Sequence, residues 1–174
     1  AFLKAWDGST ITLLRDVTFT GNYSASGTIT LDLHGKTITS GDKFFNVNKK
    51  LTVKDSSEGG ETQALNVKFW VNSNGTLAVE DSYTGEISRV ELQAGGALEA
   101  YTGTIQELLL GKGNGTGYSV KLWKGNARCC TVKKITLAEN ADQALTVGNL
   151  LKTNHAKCEL YGEKDGTWSI VDKN

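Results

Sequence analysis

The chain has no net charge and no long apolar segment. Nineteen basic residues oppose nineteen acidic residues, and no run of like charges forms a binding tail. This balance disfavours binding to nucleic acid or to an anionic membrane, because both depend on an excess of positive charge. No apolar stretch approaches the roughly 18 residues that a membrane span needs, so we expect no membrane insertion.

The N-terminus lacks an initiator methionine and the apolar segment of a signal peptide, since it begins Ala1-Phe2-Leu3-Lys4. We therefore expect a processed or excised piece of a longer, multidomain chain. The 174 residues are of the usual size for one domain. We predict a single domain over 1–174, with an N-terminal cap at 1–9, coils over 10–140 and a C-terminal cap at 141–174.

Sequence signatures of common catalytic sites are missing. There is no GxSxG, Walker, HExxH or Cys-His signature, so no known type of nucleophile, phosphate loop or zinc-protease helix is indicated. His34 and His155 lie far apart and outside any motif, which favours surface or turn roles for both. We predict neither a metal nor a cofactor.

The three cysteines, Cys129, Cys130 and Cys158, cannot all pair within one chain. Their spacing fits no zinc site, because no CxxC pair or HxxxH partner exists. A disulfide from Cys158 to Cys130 or Cys129 is one option in an oxidising compartment, since adjacent cysteines rarely pair with each other. Three reduced, partly buried thiols are the other option.

Glycine is abundant, at 20 residues, whereas proline and methionine are absent. Threonine, valine, isoleucine and leucine are also frequent. This composition indicates short strands joined by tight turns, because glycine supplies the positive φ that such turns need. Helices should be scarce.

A pattern of alternating apolar and polar residues returns along the chain. Its leading apolar residue recurs every 20 to 26 residues, at Leu31, Leu51, Leu77, Leu98 and Val120. A second alternating segment precedes several of these positions, and the residues between the two segments are typical of turns. A period of this length indicates one coil of a β-solenoid. A β-sandwich, by contrast, gains nothing from a turn motif at this spacing.

We predict an all-β fold, a right-handed parallel β-helix (β-solenoid) of about six coils. Every second side chain of a strand should point inward, and stacked coils should place like residues over like. This arrangement predicts one buried ladder of Leu31, Leu51, Leu77 and Leu98. It predicts a second ladder of Leu33, Val53, Val79 and Ala100.

The open ends of a solenoid need caps, because they would otherwise expose core residues and unpaired strand edges. Phe2, Leu3 and Trp6 stand at helical spacing and predict a short N-terminal capping helix. Asp165-Gly166 predicts a C-terminal hairpin between residues 158–161 and 168–171.

Several segments together carry a resemblance. They are WDGSTITLLRDVT from Trp6, GTITLDLHGKTIT from Gly27, LTVKDSS from Leu51, and ALTVGNLL with DGTWSIV near the C-terminus. They are similar to the β-helix repeat regions of large adhesin-like surface proteins of Gram-positive (Firmicutes) bacteria, streptococci included. The resemblance implies a secreted or cell-wall-attached, extracellular module that binds a host protein or glycan.

Aromatic residues outside the expected core are the candidate binding residues. Trp70 stands in a run with Phe69 and Val71, one member of which must point outward. Tyr83, Tyr101 and Trp123 follow strand segments where the chain turns. Exposed aromatic rings stack on sugars or anchor protein partners, so we predict a non-catalytic, monomeric binding module that uses Trp70, Tyr83, Tyr101 and Trp123.

Two other functions remain open. Parallel β-helices also host polysaccharide lyases and glycoside hydrolases, in which clustered carboxylates act on the substrate, and Asp55 and Asp81 are the candidates for that chemistry. An aspartate followed by serine is also what a turn leaving a strand requires, and we favour this structural interpretation. The third function is a passive structural stalk.

Overall fold

The computed structural model describes residues 6–58, 64–112, 119–122, 130–137, 158–162 and 168–172. All regular elements within these ranges are β-strands, as the composition predicts. The first eight are β1 (Thr10–Thr12), β2 (Val17–Thr18), β3 (Tyr23–Ala25), β4 (Ile29–Asp32), β5 (Ile38–Val47), β6 (Lys50–Lys54), β7 (Leu65–Val71) and β8 (Thr76–Val79). The other eight are β9 (Glu86–Gln93), β10 (Ala97–Ala100), β11 (Thr104–Lys112), β12 (Ser119–Leu122), β13 (Thr131–Val132), β14 (Ile135–Leu137), β15 (Cys158–Gly162) and β16 (Trp168–Asp172).

The strands form two sheets, and the chain passes alternately through them. The first sheet has the order β1-β4-β6-β8-β10-β12, and all of its pairs are parallel. In the second sheet, β2, β5, β7, β9, β11 and β14 follow one another in parallel, while β3 pairs with β5 and β13 with β11. This arrangement is the predicted parallel β-solenoid. The described residues form about four turns with a long strand in the second sheet, from β4 to β11, and not the predicted six, because the strands at each end of the stack are shorter.

The core of the first sheet consists of two stacked ladders of buried side chains. One is Ile29, Leu51, Leu77, Leu98 and Val120, and the other contains Leu31, Val53, Val79 and Ala100. The predicted ladders are therefore correct from Leu51 onward. The prediction that Leu31 lies beside Leu51 is wrong, because Ile29 pairs with Leu51. A slip of two residues keeps the same side chains inward, so the alternation alone does not distinguish these two registers.

The core of the second sheet consists of three more ladders. Their members, all buried, are Ile38, Leu65, Ile87, Ile105 and Val132; Phe45, Phe69, Val90 and Leu108; and Val47, Val71, Leu92 and Leu110. The inward residues of the two sheets form one continuous hydrophobic cluster. Because their inward side chains pack in this cluster, the long strands of the second sheet form a rigid support for the side chains on their outward face.

The described part of the N-terminal cap is not helical. Gly8 takes a positive φ of 84° and donates a hydrogen bond to the carbonyl of Thr28 at 2.7 Å. The carboxylate of Asp7 accepts a hydrogen bond from the Thr28 amide. Asp7 and Gly8 therefore form a turn that is hydrogen-bonded to Thr28 of the next coil. Trp6 is 79% exposed, so the predicted packing of this ring over the first coil is wrong. Residues 1–5 of the predicted helix lie outside the described residues.

The predicted C-terminal hairpin is confirmed. Strands β15 and β16 pair antiparallel through five residue pairs, from Cys158 with Asp172 to Gly162 with Trp168. Strand β16 also pairs antiparallel with β14, at Ile135 and Trp168, so the hairpin occupies the edge of the second sheet. The predicted turn at Asp165-Gly166 lies outside the described residues. No helix in the described ranges is long and apolar enough to cross a membrane.

Candidate functional site

The outward side chains of β5, β7, β9 and β11 form one continuous surface, which we call the outer face. It arises because neighbouring residues of a strand point to opposite sides of a sheet, and the core takes every second one. The register aligns these outward side chains in rows across the four strands. One row is Phe44, Lys68, Arg89 and Glu107, and the next is Asn46, Trp70, Glu91 and Leu109.

Two aromatic rings lie together on the outer face. The ring centroids of Phe44 and Trp70 are 5.2 Å apart and the planes meet at 75°, an edge-to-face arrangement that aromatic pairs prefer. Both side chains are half-buried. Phe69 and Val71 are buried in the core, so Trp70 is the outward member of its run. The pair therefore presents a fixed aromatic surface to solvent.

A network of charged side chains adjoins the aromatic pair. Glu91 lies beside Trp70 on the next strand, and its side chain is only 3% exposed. Its carboxylate contacts Arg89 Nη2 at 3.3 Å and accepts a hydrogen bond from Gln93 Nε2 at 3.1 Å. These contacts offset the cost of removing a charged carboxylate from water.

Glu107 on β11 extends the network to the next strand and to Lys134, which precedes β14. Its carboxylate lies 3.6 Å from Arg89 Nε and 3.5 Å from Lys134 Nζ. The sequence reasoning missed these residues. Arg89, Glu91 and Gln93 alternate with buried apolar residues within β9, and charge in the outward positions of so apolar a strand is the signal that marks them.

Tyr83 does not belong to an exposed aromatic row, which corrects its predicted position. The side chain is fully buried, with a relative exposure of 0%. Its hydroxyl donates a hydrogen bond to the carbonyl of Glu86 at 2.7 Å and accepts one from the amide of Leu65 at 3.3 Å. Burial raises the pKa of this phenol well above its ordinary value. Tyr83 thus ties two strands of the second sheet together from inside the core.

Tyr101 is also separated from Trp70. Tyr101 is 37% exposed and follows β10 of the first sheet, whereas Trp70 lies in the second sheet. Trp123 lies outside the described residues. The structure therefore does not place Trp70, Tyr83 and Tyr101 in one row, and a ring that packs against Trp70 is that of Phe44.

Asp32 and Asp55 join successive turns of the solenoid. Oδ1 of Asp32 accepts hydrogen bonds from the amides of His34 at 3.2 Å and Ser56 at 3.0 Å. Oδ1 of Asp55 accepts them from Ser57 at 3.0 Å and Gly35 at 2.9 Å. Each carboxylate therefore binds one amide of its own coil and one of the neighbouring coil.

The candidate catalytic carboxylates, Asp55 and Asp81, lie in different surroundings. Asp55 is buried and engaged by two backbone amides, as the structural interpretation of the Asp-Ser motif predicts. Asp81 is exposed on the turn after β8. His34 also has a turn role, because it takes a positive φ of 49° in the same corner, and its Nδ1 lies 3.2 Å from Ser56 Oγ.

Replacement of Asp32 by asparagine is expected to lower the free energy of unfolding by about 1 kcal/mol at pH 7. Burial opposes the charged form of Asp32, but hydrogen bonds from Ser56 and the nearby Lys54 ammonium outweigh it and hold its pKa below the ordinary 3.8. The charged carboxylate therefore stabilises the fold fully above about pH 4, and this stabilisation disappears as pH falls through the lower, folded-state pKa. Urea unfolding at about pH 7 and pH 3 measures both values.

The matched control for this experiment is Asp81→Asn, which makes the same substitution at an exposed position. This variant should leave stability unchanged at both pH values. An Asp32→Asn variant that is destabilised equally at both pH values would show that the carboxylate charge contributes nothing.

Cys130 is a buried thiol that packs in the hydrophobic core, and its Sγ lies 3.9 Å from the carbonyl oxygen of Thr131. The predicted disulfide from Cys130 to Cys158 stays a prediction, because it also involves the side chain of Cys158. Cys129, the side chain of Cys158 and His155 lie outside what the structure describes. Among the described residues, no three His, Cys, Asp or Glu side chains are grouped in a way that could hold a metal ion.

Comparison of the chain with protein-family models, curated proteins and solved structures gives no match.

Proposed function

We propose that this domain is a non-catalytic module of a secreted or wall-attached bacterial surface protein, and that it binds a host protein or glycan through the outer face. The observation that carries the proposal is the half-buried Phe44 and Trp70 pair beside the ordered Arg89–Glu91–Glu107 network. Aromatic side chains next to well-placed polar groups are typical of binding sites. The resemblance of the repeat segments to adhesin-like surface proteins supports the same function.

The rigidity of the support favours binding over a purely structural role for these residues. Four long strands hold the outer face, and their opposite side packs in the continuous core. Residues on such a support lose little conformational freedom when a ligand binds, which improves affinity.

Trp70→Ala is expected to weaken ligand binding by at least about tenfold, because buried aromatic anchors contribute most of the energy of a binding surface. The ligand is first found by screening the purified domain against a glycan array and against extracellular-matrix and serum proteins. Binding of each variant is then measured by titration, and the mass of any bound polysaccharide is checked for cleavage.

Trp6→Ala is the matched control, since Trp6 is 79% exposed on the first turn and far from β7 in the stack. It should bind as the unmodified domain does. Unchanged binding after replacement of both Phe44 and Trp70 would place the site elsewhere. Cleavage products would support the carbohydrate-active enzyme, and the absence of saturable binding would favour the structural stalk.

A further inference from the structure

We infer that the ligand of the outer face is an uncharged saccharide, bound with one sugar ring over the Phe44 and Trp70 pair. This inference rests on the proposed function and names the class of its ligand. Three properties of the face support it: most of its charged side chains are paired with one another, its amide groups are held in position, and its apolar area is small.

The charges of the outer face are paired among themselves. Arg89 contacts the carboxylates of both Glu91 and Glu107, and Lys134 also contacts Glu107. An acidic glycan is recognised by cations that are available to its carboxylates or sulfates, and here it would also meet the partly exposed carboxylate of Glu107. Internal pairing therefore disfavours an anionic ligand.

Lys68, the remaining cation in the row, also has an acidic neighbour. Asp42 forms an ion pair with Lys43 at 3.0 Å, and Lys43 together with the more distant Lys68 lowers the pKa of the Asp42 carboxyl. Arg89, Lys134 and Lys43 thus lie in ion pairs, and Lys68 lies near the carboxylate that Lys43 contacts. An uncharged ligand is the type that such a surface complements best.

The side-chain amides around Trp70 are held by hydrogen bonds along the stack. Nδ2 of Asn72 donates to Oδ1 of Asn48 at 2.6 Å, and Nδ2 of Asn46 donates to the carbonyl of Tyr23 at 3.3 Å. These bonds fix the planes of the amides and leave the Oδ1 atoms of Asn46 and Asn72 as acceptors. Hydroxyl groups of a sugar are donors of the matching kind.

The spacing of the solenoid suits one sugar ring. Asn46 lies opposite Trp70 on the neighbouring strand, roughly 5 Å away along the row, and Asn72 lies two residues further along the chain, roughly 7 Å away. A ring stacked on Trp70 would therefore have amide oxygens on two sides. The aromatic surface binds the C–H face of the ring, and the amides bind its edge.

The small apolar area disfavours a protein ligand. The apolar side chains in the two rows are Phe44, Trp70 and Leu109, all half-buried. Several outward neighbours of these rows are amides and hydroxyls, among them Asn66, Ser88, Gln93 and Gln106. The buried centre of a protein–protein interface is considerably more apolar than this surface.

The test compares uncharged oligosaccharides with sulfated, sialylated or uronic-acid derivatives of the same backbone, alongside the matrix and serum proteins. We expect an uncharged oligosaccharide to bind, its charged derivative to bind no more tightly, and the affinity to stay constant between about 0.05 and 0.5 M salt. Trp70→Ala should weaken this binding by at least about tenfold, and Asn72→Ala should weaken it measurably. Trp6→Ala should have no effect. Circular dichroism shows whether Trp70→Ala is folded. If it is not, Asn72→Ala is the variant that tests the site.

Each other outcome overturns the inference in a different way. Tighter binding of the charged derivative, or an affinity that falls with salt, would mean that an anionic glycan is the ligand. Binding of proteins alone would mean a protein ligand, and in both cases the proposed function stands. Saturable binding of no probe would overturn the inference and the proposed function together.

Discussion

Replacement of Phe69 by alanine is expected to lower the free energy of unfolding by about 3–5 kcal/mol. Phe69 is 1% exposed in the middle of the stack, and its ring centroid lies 5.8 Å from that of Phe45 on the preceding turn. Phe45 in turn lies 5.9 Å from Phe19, so the ring of Phe69 belongs to a ladder of aromatic side chains across three turns. Each turn of a solenoid makes its main contacts with the turns before and after it. Loss of the Phe69 ring therefore weakens the packing against both neighbouring turns.

Chemical denaturation followed by circular dichroism measures this change, and Trp6→Ala is the control. Trp6 is also a large aromatic residue, but it is 79% exposed, so its removal should change the free energy of unfolding by less than about 0.5 kcal/mol. A loss below about 1 kcal/mol for Phe69→Ala would contradict the packing of the second sheet that is described above.

Gly75→Ala is expected to destabilise the fold by about 2–3 kcal/mol, although it adds a single methyl group. Gly75 ends the turn between β7 and β8, where the backbone passes over the preceding coil. A Cβ atom at this position would clash with the carbonyl oxygen of Val47 and would lie 2.9 Å from that of Asn72. The Val47 carbonyl accepts a hydrogen bond from the Asn72 amide at 3.0 Å, so the backbone cannot move without weakening this bond between coils.

Gly21→Ala is the control for the glycine experiment. Gly21 also lies in a turn, but no atom lies within 4 Å of the position that its Cβ would take. We expect this variant to keep its stability or gain up to about 1 kcal/mol, since alanine restricts the unfolded chain. Thermal unfolding of the two variants side by side separates a clash from a general effect of removing glycine. Equal melting temperatures would contradict the close approach of the coils at Gly75.

The fold could be predicted because its signals are local. Alternation within β6, β8 and β10 marks the inward residues, and the return of the pattern after each turn indicates stacked coils. The hairpin of β15 and β16 was predicted in the same way, from two alternating segments around a turn. The register of β4 was not predicted correctly. Leu31 pairs with Val53, and a shift of two residues that paired it with Leu51 would leave every inward side chain inward.

The site was harder to predict, because its members come from different coils. Trp70 could be identified as an outward residue, but its contact with Phe44 depends on the pairing of β5 with β7. Tyr83 follows a strand just as Tyr101 does, yet it is fully buried and hydrogen-bonded to Leu65 and Glu86. Nothing in its immediate sequence indicates that difference.

The amino-acid sequence alone thus determines the strands, their inward faces and the repeat of the coil, because these depend on residues that are near one another in the chain. The tertiary structure alone decides which outward side chains become neighbours. Trp70 and Glu91 are one whole turn of the solenoid apart in the chain, and the stacking of that turn on the previous one places them side by side on adjacent strands. The charge pairing of Arg89 with Glu107 arises in the same way, since stacking brings together residues that local chain geometry keeps apart.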